Sequence, residues 1–246
     1  MLEGQIALVT GASRGIGAAI AQELGKQGAV VVGTATTQSG ADQISAALKG
    51  AGIKGCGLAL DVNSSEQIQE VLKTIAEEFG EVSILVNNAG ITRDTVFRKM
   101  TPEDWRAVID TNLNSLFNVT KQVIDGMVDA GWGRIINISS VNGQKGQFGQ
   151  SNYATAKAGI HGFTMSLAQE TASKGVTVNT VSPGYIGTDM VTAIREDVLE
   201  KIISTIPVKR LGTPDEIASI VSWLASDQGG FSTGADFSLN GGLHMG

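Results

Sequence analysis

The sequence predicts an α/β protein with a single, doubly wound domain, in which helices cover both faces of a seven-stranded parallel sheet. Short apolar runs alternate with longer helical stretches along the whole chain, which is the pattern of parallel strands joined by helical crossovers. Several runs are continuous in Val, Ile, Leu and Ala, as strands buried on both faces are. The 246 residues and the hydrophobic content of 42% suffice for one large domain. In such a fold, ligands bind beyond the carboxyl ends of the strands.

Each predicted strand is one such run, and each predicted helix is the stretch that follows a strand. The strands are Gln5–Thr10, Ala29–Ala35, Gly55–Leu60, Ser83–Asn87, Arg134–Ser139, Val176–Ser182 and Ala235–Leu239. The helices lie near 15–26, 39–51, 64–79, 102–130, 151–174 and 214–225. We expect one domain over 1–246. The least regular stretch, about 184–213, holds a helical piece near 191–205 and is predicted to cover the site as a small lid.

Composition argues against several classes of function. The net charge of −6 argues against a nucleic-acid surface, which needs clustered Lys and Arg. The first residues contain neither a basic nor an apolar segment, and no apolar run approaches the ~20 residues of a membrane span, so we expect a cytoplasmic protein without membrane contact. Cys56, the single cysteine, is interpreted as a small core residue. His161 and His244, the two histidines, have no Cys or His neighbours, and no metal site is expected.

A glycine-rich turn after the first strand predicts a dinucleotide site. Thr10–Gly17 reads Thr-Gly-Ala-Ser-Arg-Gly-Ile-Gly and runs into a helix. Its glycines allow a tight turn and a close approach of the backbone to a pyrophosphate, whose charge a helix N-terminus favours. The spacing differs from G-x-G-x-x-G, and an ordinary strand-to-helix turn is the alternative. The position after the first strand of a strand–helix repeat favours the dinucleotide.

Residues after the next three strands predict which dinucleotide binds. The second strand is followed by Thr36 and lacks the Asp or Glu that would hold the ribose 2′-hydroxyl of NAD and repel a 2′-phosphate. Hydroxyl groups and the Arg14 side chain would bind a 2′-phosphate, so we predict that the cofactor is NADPH. The alternative is that Arg14 is an ordinary solvated surface charge. Asp61 and Val62 follow the third strand, where Asp61 can accept from the adenine amino group. Asn87–Gly90 closes the fourth strand with small residues that let a cofactor approach.

Tyr153 and Lys157 stand four residues apart on one face of a predicted helix. A cationic ammonium beside a phenol stabilises the phenolate, so we expect Lys157 to lower the pKa of Tyr153 from about 10 toward neutrality. Such a tyrosine can exchange a proton with a carbonyl oxygen near pH 7. The spacing alone also occurs on solvated helix faces. Ser140 ends the fifth strand and is predicted to hold the substrate carbonyl beside Tyr153, while strand alternation turns Ser139 away.

Taken together, these motifs resemble the short-chain dehydrogenase/reductase family, in the family's order and over nearly the whole chain. The resemblance implies a Rossmann-type domain, usually a homotetramer, and a catalytic set of Asn112, Ser140, Tyr153 and Lys157. In this set we expect Asn112 to hold a water that relays protons to Lys157. The resemblance also implies the cofactor-binding residues Gly11, Ser13, Arg14, Gly15, Ile16, Gly17, Thr36, Asp61, Val62, Asn88, Ala89, Gly90, Tyr153, Lys157, Pro183, Gly184, Ile186 and Thr188.

A narrower resemblance indicates the substrate. The segments 91–100, 139–150, 182–186 and 239–246 resemble acetoacetyl-CoA reductases of polyhydroxyalkanoate synthesis, whereas the chain before them looks more like 3-oxoacyl-acyl-carrier-protein reductases. The resemblance implies an acyl-CoA site lined by Asp94, Lys99, Ser140, Gln147, Phe148, Gln150, Tyr153 and Tyr185. We therefore expect NADPH-dependent reduction of acetoacetyl-CoA to the (R)-3-hydroxyacyl-CoA.

Two alternatives remain open. One is a reductase of 3-oxoacyl chains on acyl carrier protein, which is acidic and docks on bases. The loop corresponding to the docking patch, 125–133, holds Asp125 and Asp129 and no base, so docking there is expected to be weak. Lys99 or Arg93 could hold the smaller CoA, or could simply be solvated. The other alternative is a non-catalytic NADPH-binding or sensing protein, which would not need the Asn-Ser-Tyr-Lys set.

Overall fold

The computed structural model describes residues 1–188, 191 and 195–245. In these residues, seven strands form one sheet in the order β3-β2-β1-β4-β5-β6-β7, and every neighbouring pair is parallel. The chain starts in the middle of the sheet, winds out to β3, returns to β4 and winds out to β7. The winding direction reverses between β1 and β4. At such a point the carboxyl ends of the two strands leave a crevice in which ligands bind. The predicted doubly wound sheet is confirmed.

The bounds of the elements are as follows. The strands are β1 (Ile6–Val9), β2 (Val30–Ala35), β3 (Gly55–Ala59), β4 (Ile84–Asn87), β5 (Gly133–Ile138), β6 (Val176–Pro183) and β7 (Asp236–Leu239). The α-helices within the described residues are α1 (Gly15–Lys26), α2 (Gln38–Gly50), α3 (Ser65–Glu78), α4 (Pro102–Ile109), α5 (Ser115–Ala130), α6 (Val141–Lys145), α7 (Ser151–Thr171), α8 (Glu196–Thr205) and α9 (Pro214–Ala225). A π-helical turn lies at Asp110–Asn114, and 3-10 turns lie at Phe97–Lys99, Ala172–Lys174 and Asp227–Gly229.

Several helices begin where a side chain satisfies the free N–H groups of the first turn. Thr101 caps α4 and Thr213 caps α9, and each forms a reciprocal capping box with an acid three residues later. Both helices also begin with proline, whose missing N–H costs nothing at that position. α5 ends at Gly131, whose φ of 68° is the left-handed conformation of a glycine C-cap. These local signals, worth about 1 kcal/mol each, set where the connections between strands begin and end.

The apolar core consists of two layers, one on each face of the sheet. Neighbouring strand residues alternate between them, as in β5, where Ile136 faces α1, α2 and α9 and Ile135 faces α3 and α5. The central strands β1 and β4 are buried at every position. Burial on both faces accounts for their continuous apolar sequences, and it holds the carboxyl ends of these strands rigidly at one edge of the sheet.

The helix predicted over 102–130 is interrupted in the structure. α4 and α5 are separated by the π-helical turn at Asp110–Asn114, which apolar periodicity does not indicate. The short helix α6 was not predicted either, because five residues are too few to show a period. Of the helical piece predicted near 191–205, the described part is α8, and residues 189, 190 and 192–194 lie outside the described residues. The lid remains a prediction.

The loop at 125–133 is placed differently from what the sequence suggested. It leads into β5 at Gly133, the amino end of the strand, whereas Ser140 follows the carboxyl end. Within one chain the loop therefore lies at the edge of the sheet opposite the predicted site, because strand direction separates the two ends. The acidity of Asp125 and Asp129 consequently says nothing about the entrance to the site of the same chain. Within the part of the chain that the structure describes, no helix combines the length and apolarity needed to span a membrane.

Candidate active site

The glycine-rich turn between β1 and α1 leaves room for main chain only. Gly11 and Gly15 have φ of +67° and +56°, the left-handed region that favours glycine. A Cβ on Gly17 would lie 2.2 Å from the Gly11 carbonyl oxygen and 2.5 Å from Asn88 Nδ2. A Cβ on Gly11 would lie 3.0 Å from the Cα of Ala89. The three glycines are therefore needed to bring the turn against the end of β4.

The first turn of α1 presents N–H groups suited to an anion. Arg14 occupies the N-cap position without a side-chain cap bond, and the first turn contains no acid. Ser13 and Arg14 are exposed, and Ile16 is half-buried. Uncapped N–H groups and the helix dipole together favour a phosphate. The turn thus fits the pyrophosphate of a dinucleotide, as the sequence predicted.

Asn88 fastens the glycine-rich turn to β4. Its Nδ2 donates to the carbonyl oxygens of Thr10 and Gly11, each at 2.9 Å. The Thr10 hydroxyl in turn accepts from the backbone N–H groups of Asn88 and Ala89 at 3.0 Å. Asn87 points to the other side, where it donates to Asn137 and belongs to the core. Two adjacent asparagines therefore have separate tasks, and only Asn88 shapes the turn.

The end expected to hold the adenosine is formed by residues after β2 and β3. Thr36 is exposed, and the hydroxyl of the next residue, Thr37, is already used as the cap of α2. No acid follows β2 before Asp42. Asp61 is held in place by the Asn63 N–H, which donates to its carboxylate at 2.9 Å. Val62 beside it is buried. The groups available to bind a 2′-phosphate are therefore the Thr36 hydroxyl and Arg14, and no carboxylate follows β2 directly to repel it.

The two serines after β5 face opposite ways. The Ser140 hydroxyl accepts the Asn142 N–H at 3.1 Å, and its interaction with the Tyr153 hydroxyl acts to lower the pKa of that phenol. The Ser139 hydroxyl donates to the carbonyl oxygen of Lys157 at 2.8 Å and ties the end of β5 to α7. Strand alternation therefore turns Ser140, and not Ser139, toward the tyrosine.

Tyr153 and Lys157 lie one turn apart on α7. The Lys157 side chain is buried, and its ammonium donates to the Ile138 carbonyl oxygen at 2.7 Å. It lies 5.7 Å from the centre of the Tyr153 ring. A Cβ on Gly90 would lie 3.7 Å from the same nitrogen. The pair thus faces the end of β4, where the nicotinamide half of a dinucleotide is expected.

The pKa values correct one expectation. Tyr153 is half-buried, and desolvation raises the pKa of its hydroxyl above the ordinary value of 10. The hydrogen bond with Ser140 opposes this effect, and the Asp94 carboxylate adds to it. Burial likewise lowers the pKa of Lys157 to about 8. The prediction that Lys157 lowers the pKa of Tyr153 is therefore wrong for this structure, because the low-dielectric surroundings disfavour the charged form of both groups.

Asn112 lies at the centre of the π-helical turn and is fully buried. Its Oδ1 accepts the Ile91 N–H and its Nδ2 donates to the Ile91 carbonyl, both at 2.8 Å. A Cβ on Gly90 would lie 3.4 Å from its Oδ1. The side chain thus holds the loop after β4, and its expected role in holding a water stays a prediction. The neighbouring Asn114 bonds to Asp110 on the exposed side.

Hydrogen bonds bring the two predicted substrate loops together. Gln150 Nε2 donates to the Asp94 carboxylate at 2.7 Å, and the Thr95 N–H donates to the Gly149 carbonyl at 2.9 Å. Asn142, which sequence reasoning missed, donates from Nδ2 to Gln150 Oε1 at 2.9 Å. Its position two residues after the predicted catalytic serine is the only signal in the sequence. The chain of bonds runs from the Ser140 segment to Asp94 and fixes the amide orientation of Gln150.

The remaining substrate residues lie nearer the surface. Phe148 is 87% exposed, and Gln147 accepts from the Lys145 ammonium at 2.9 Å. Lys99 is exposed at the end of a 3-10 turn. These three residues therefore surround the mouth of the site, while Ser140 and Tyr153 lie below it.

After β6 the chain passes over the glycine-rich turn. The Gly184 N–H, next to Pro183, donates to the Leu239 carbonyl at 2.9 Å. The Thr188 methyl lies 3.2 Å from the position of a Cβ on Gly15, which places Thr188 beside the predicted pyrophosphate site. Tyr185 and the buried Ile186 line a cavity of about 210 Å³ with Ile206 and other residues of the segment between α8 and α9, and with residues of α9 and β7. None of the four predicted catalytic residues lines this cavity.

No group of three or more His, Cys, Asp or Glu side chains in the described part of the chain could hold a metal ion.

Comparison with known proteins identifies the family. The family model described as short chain dehydrogenase matches residues 5–199. An acetoacetyl-CoA reductase of Cupriavidus necator is 65% identical over 98% of this chain and 99% of its own. An acetoacetyl-CoA reductase of Allochromatium vinosum is 53% identical over the same shares, and a 3-oxoacyl-[acyl-carrier-protein] reductase of Escherichia coli is 52% identical over 99% of this chain and 98% of its own. With the glycine-rich turn, Asn88 and the Ser-Tyr-Lys cluster in place on the parallel sheet, these matches show that the chain belongs to the short-chain dehydrogenase family.

Proposed function

We propose that this protein reduces acetoacetyl-CoA to the (R)-3-hydroxyacyl-CoA with NADPH. The observation that carries the proposal is that Ser140, at the end of β5, and the buried ammonium of Lys157, which lies 5.7 Å from the centre of the Tyr153 ring, converge on that tyrosine. This arrangement suits proton transfer to a carbonyl oxygen. The full-length relative from Cupriavidus necator, named for acetoacetyl-CoA, supports the substrate, and the family resemblance supports the (R) configuration.

NADPH is the proposed cofactor because the residues after β2 favour an additional phosphate. The exposed Thr36 hydroxyl stands where an NAD-specific protein carries an acid, and Arg14, exposed in the glycine-rich turn, supplies a positive charge. When bound, NADPH supplies the hydride for the ketone carbon. Changing Arg14 to Ala is expected to raise the KM for NADPH much more than that for NADH. Equal changes would contradict the assignment.

The chain supplies the proton and the geometry of the reaction. Ser140 holds the ketone oxygen, and Tyr153 donates its proton to that oxygen as the carbonyl becomes an alcohol. A raised pKa keeps Tyr153 protonated before the step, which is the form an acid requires. Lys157, with a pKa of about 8, returns a proton to the phenolate. Asn112 holds the Ile91 peptide and thereby the loop that faces Lys157.

A direct test measures kcat/KM for acetoacetyl-CoA and for the acetoacetyl chain on acyl carrier protein, each with NADPH and with NADH. The proposal expects the highest value for the CoA ester with NADPH. Changing Tyr153 to Phe removes the hydroxyl and keeps the ring, so reduction should fall by 10²-fold or more, roughly the contribution of a positioned acid. Unchanged reduction by this variant would refute the proposed acid.

The alternative function is reduction of 3-oxoacyl chains on acyl carrier protein. The relatives so named, at 52–53% identity over nearly the whole chain, favour it. A much higher kcat/KM for the carrier-bound chain would establish it.

If the main proposal holds, the protein supplies the precursor for polyhydroxybutyrate synthesis in the cytoplasm. We also propose a homotetramer, as the family resemblance implies, and sedimentation of the purified protein tests it.

A further inference from the structure

Helix α7 carries both Tyr153 and Lys157, yet the face that it turns toward the sheet has few apolar side chains to fix its rotation. The structure describes the whole helix, and its buried residues include one large aliphatic side chain, Ile160. The other buried residues are small or polar: Asn152, Ala156, Lys157, Thr164, Ala168 and Thr171. Because the packing of a helix ordinarily depends on a wide apolar stripe, more of the task of holding α7 at its angle falls to polar bonds.

Three polar side chains on this face bond to the strands beneath it. Lys157, Thr164 and Thr171 follow one another at intervals of seven residues, about two turns, and so lie on one stripe. The Lys157 ammonium bonds to the end of β5, but it also has a task in the chemistry. The Thr171 hydroxyl donates to its own helix at the Leu167 carbonyl, at 2.9 Å, and less closely to the Val176 carbonyl at 3.3 Å. The middle residue, Thr164, bonds to the sheet and takes no part in the chemistry proposed above.

The Thr164 hydroxyl lies between two strands and bonds to both. It accepts from Asn137 Nδ2 of β5 at 2.9 Å and shares a hydrogen bond with the Thr180 hydroxyl of β6 at 2.8 Å. Asn137, Thr164 and Thr180 are 0%, 1% and 0% exposed, so burial shields these bonds from solvent. Asn137 Oδ1 in turn accepts from Asn87 Nδ2 at 2.9 Å, which fixes the direction in which the Asn137 amide donates. A buried network of this kind is rigid, and it joins α7 to three neighbouring strands.

We propose that Thr164 is a positioning residue, which sets the rotation of α7 about its axis and thereby the place of the Tyr153 hydroxyl. Thr164 lies about 16 Å along the helix from Tyr153, too far to touch the ketone. A rotation of about 10° moves an atom that lies about 6 Å from the helix axis by about 1 Å. A misplacement of that size can cost about 10²-fold in rate. The inference rests on the proposed function, since it assumes that Tyr153 is the acid.

The test compares the same substitution at two positions of the stripe. Thr164→Val removes the hydroxyl and keeps a branched side chain, whereas Thr164→Ser keeps the hydroxyl and loses a methyl group. Thr171→Val is the matched control, because Thr171 is also buried on this face, lies farther from Tyr153 and bonds chiefly within the helix. Thr180→Val removes the partner on β6 without changing α7. The purified full-length variants are assayed for kcat and KM with acetoacetyl-CoA at saturating NADPH, and for stability by urea unfolding.

The proposal expects the kcat of Thr164→Val to fall between about 10-fold and 100-fold, with the KM for acetoacetyl-CoA within about threefold of the unchanged protein. The isotope effect on kcat with NADPH deuterated at the transferred position should not fall, because the slowed step is the chemistry. Thr180→Val should lower kcat in the same way. Thr164→Ser should keep kcat within about threefold, and Thr171→Val should keep it within about twofold while losing stability.

Three results would overturn the positioning role. An unchanged kcat in Thr164→Val would show that Thr164 contributes to stability alone. Equal falls in kcat for Thr164→Val and Thr171→Val would indicate a general loosening of the helix. A kcat in Thr164→Ser as low as that in Thr164→Val would assign the effect to the methyl group instead of the hydrogen bonds. If Thr164→Val does not fold, Thr180→Val against Thr171→Val decides the same question.

Failure of the proposed function gives a different result. In that case the unchanged protein reduces acetoacetyl-CoA far more slowly than the acetoacetyl chain on acyl carrier protein. The variants are then compared on that chain, and the same pattern of kcat values decides the role of Thr164, since α7 carries Tyr153 whichever thioester is the substrate. An unchanged protein that reduces neither thioester would overturn both proposals.

Discussion

Replacing Asn88 tests whether the glycine-rich turn is held open for the cofactor from the β4 side. In Asn88→Ala the carbonyl oxygens of Thr10 and Gly11 lose the two hydrogen bonds that Nδ2 makes at 2.9 Å. A net value of about 0.5–1.5 kcal/mol for each bond gives a loss of about 1–3 kcal/mol. If that energy holds the turn in its binding conformation, the Kd for NADPH should rise between about 5-fold and 150-fold.

The isosteric change Asn88→Asp sharpens the test. It replaces the donor by a carboxylate facing the same two carbonyl oxygens and beside the predicted pyrophosphate, so the loss should exceed that of Asn88→Ala. The Kd is measured by quenching of protein fluorescence, and stability by urea unfolding. Asn87→Ala is the control, because that neighbour bonds to Asn137 and Thr120 in the core. It should lower stability and leave the Kd within about threefold. Equal effects of the two asparagines on the Kd, or no effect of Asn88→Asp, would refute the reasoning.

Two further predictions concern the buried charges. Lys157 has a folded-state pKa of about 8 against an ordinary value of 10.5, so between these values the unfolded chain binds more protons and stability should rise with pH. Urea unfolding gives the free energy of unfolding of the unchanged protein and of Lys157→Met at each pH. The difference, unchanged protein minus variant, should increase by about 2 kcal/mol from pH 7.5 to pH 9.5. A decrease would show that the surroundings of Lys157 stabilise its ammonium form. The Tyr153 phenol should ionise above pH 10 in the cofactor-free protein. The absorbance of tyrosinate follows this ionisation, and Tyr153→Phe serves as the reference because it retains Tyr185, the other tyrosine of the chain. Asp94→Asn should move that ionisation to lower pH, because it removes a neighbouring negative charge; ionisation near neutrality without this change would restore the original expectation.

Sequence reasoning located the strands and the ends of the glycine-rich turn because these depend on local composition. Continuous apolar runs specify burial on both faces, and positive φ at Gly11 and Gly15 needs glycine. Alternation along β5 also separates Ser140 from Ser139, since successive strand residues face opposite sides.

What sequence reasoning missed depends on groups far apart in the chain. The raised pKa of Tyr153 comes from burial by several elements and from Asp94, which no i,i+4 argument includes. The bond between Asn142 and Gln150 depends on how the loop after β5 folds back on itself. The loop at 125–133 corresponds to a docking patch only by family resemblance, whereas strand direction places it before the amino end of β5.

The π-helical turn has a consequence for which insertions and deletions the chain can tolerate. A π-turn holds one residue more than an α-turn. Deleting one residue from Asp110–Asn114 would let α4 and α5 continue as one regular helix. Because the π-turn already accommodates the extra residue, the deletion would leave the relative rotation of the two helices nearly unchanged. Val108 of α4 and Val119 of α5 would therefore stay buried. Asn112, however, would leave the Ile91 peptide that it holds with two hydrogen bonds. A homologue that lost a single residue here would therefore keep its helix packing but lose the bonds that hold the loop after β4, which makes the length of this segment a constraint on the site more than on the fold.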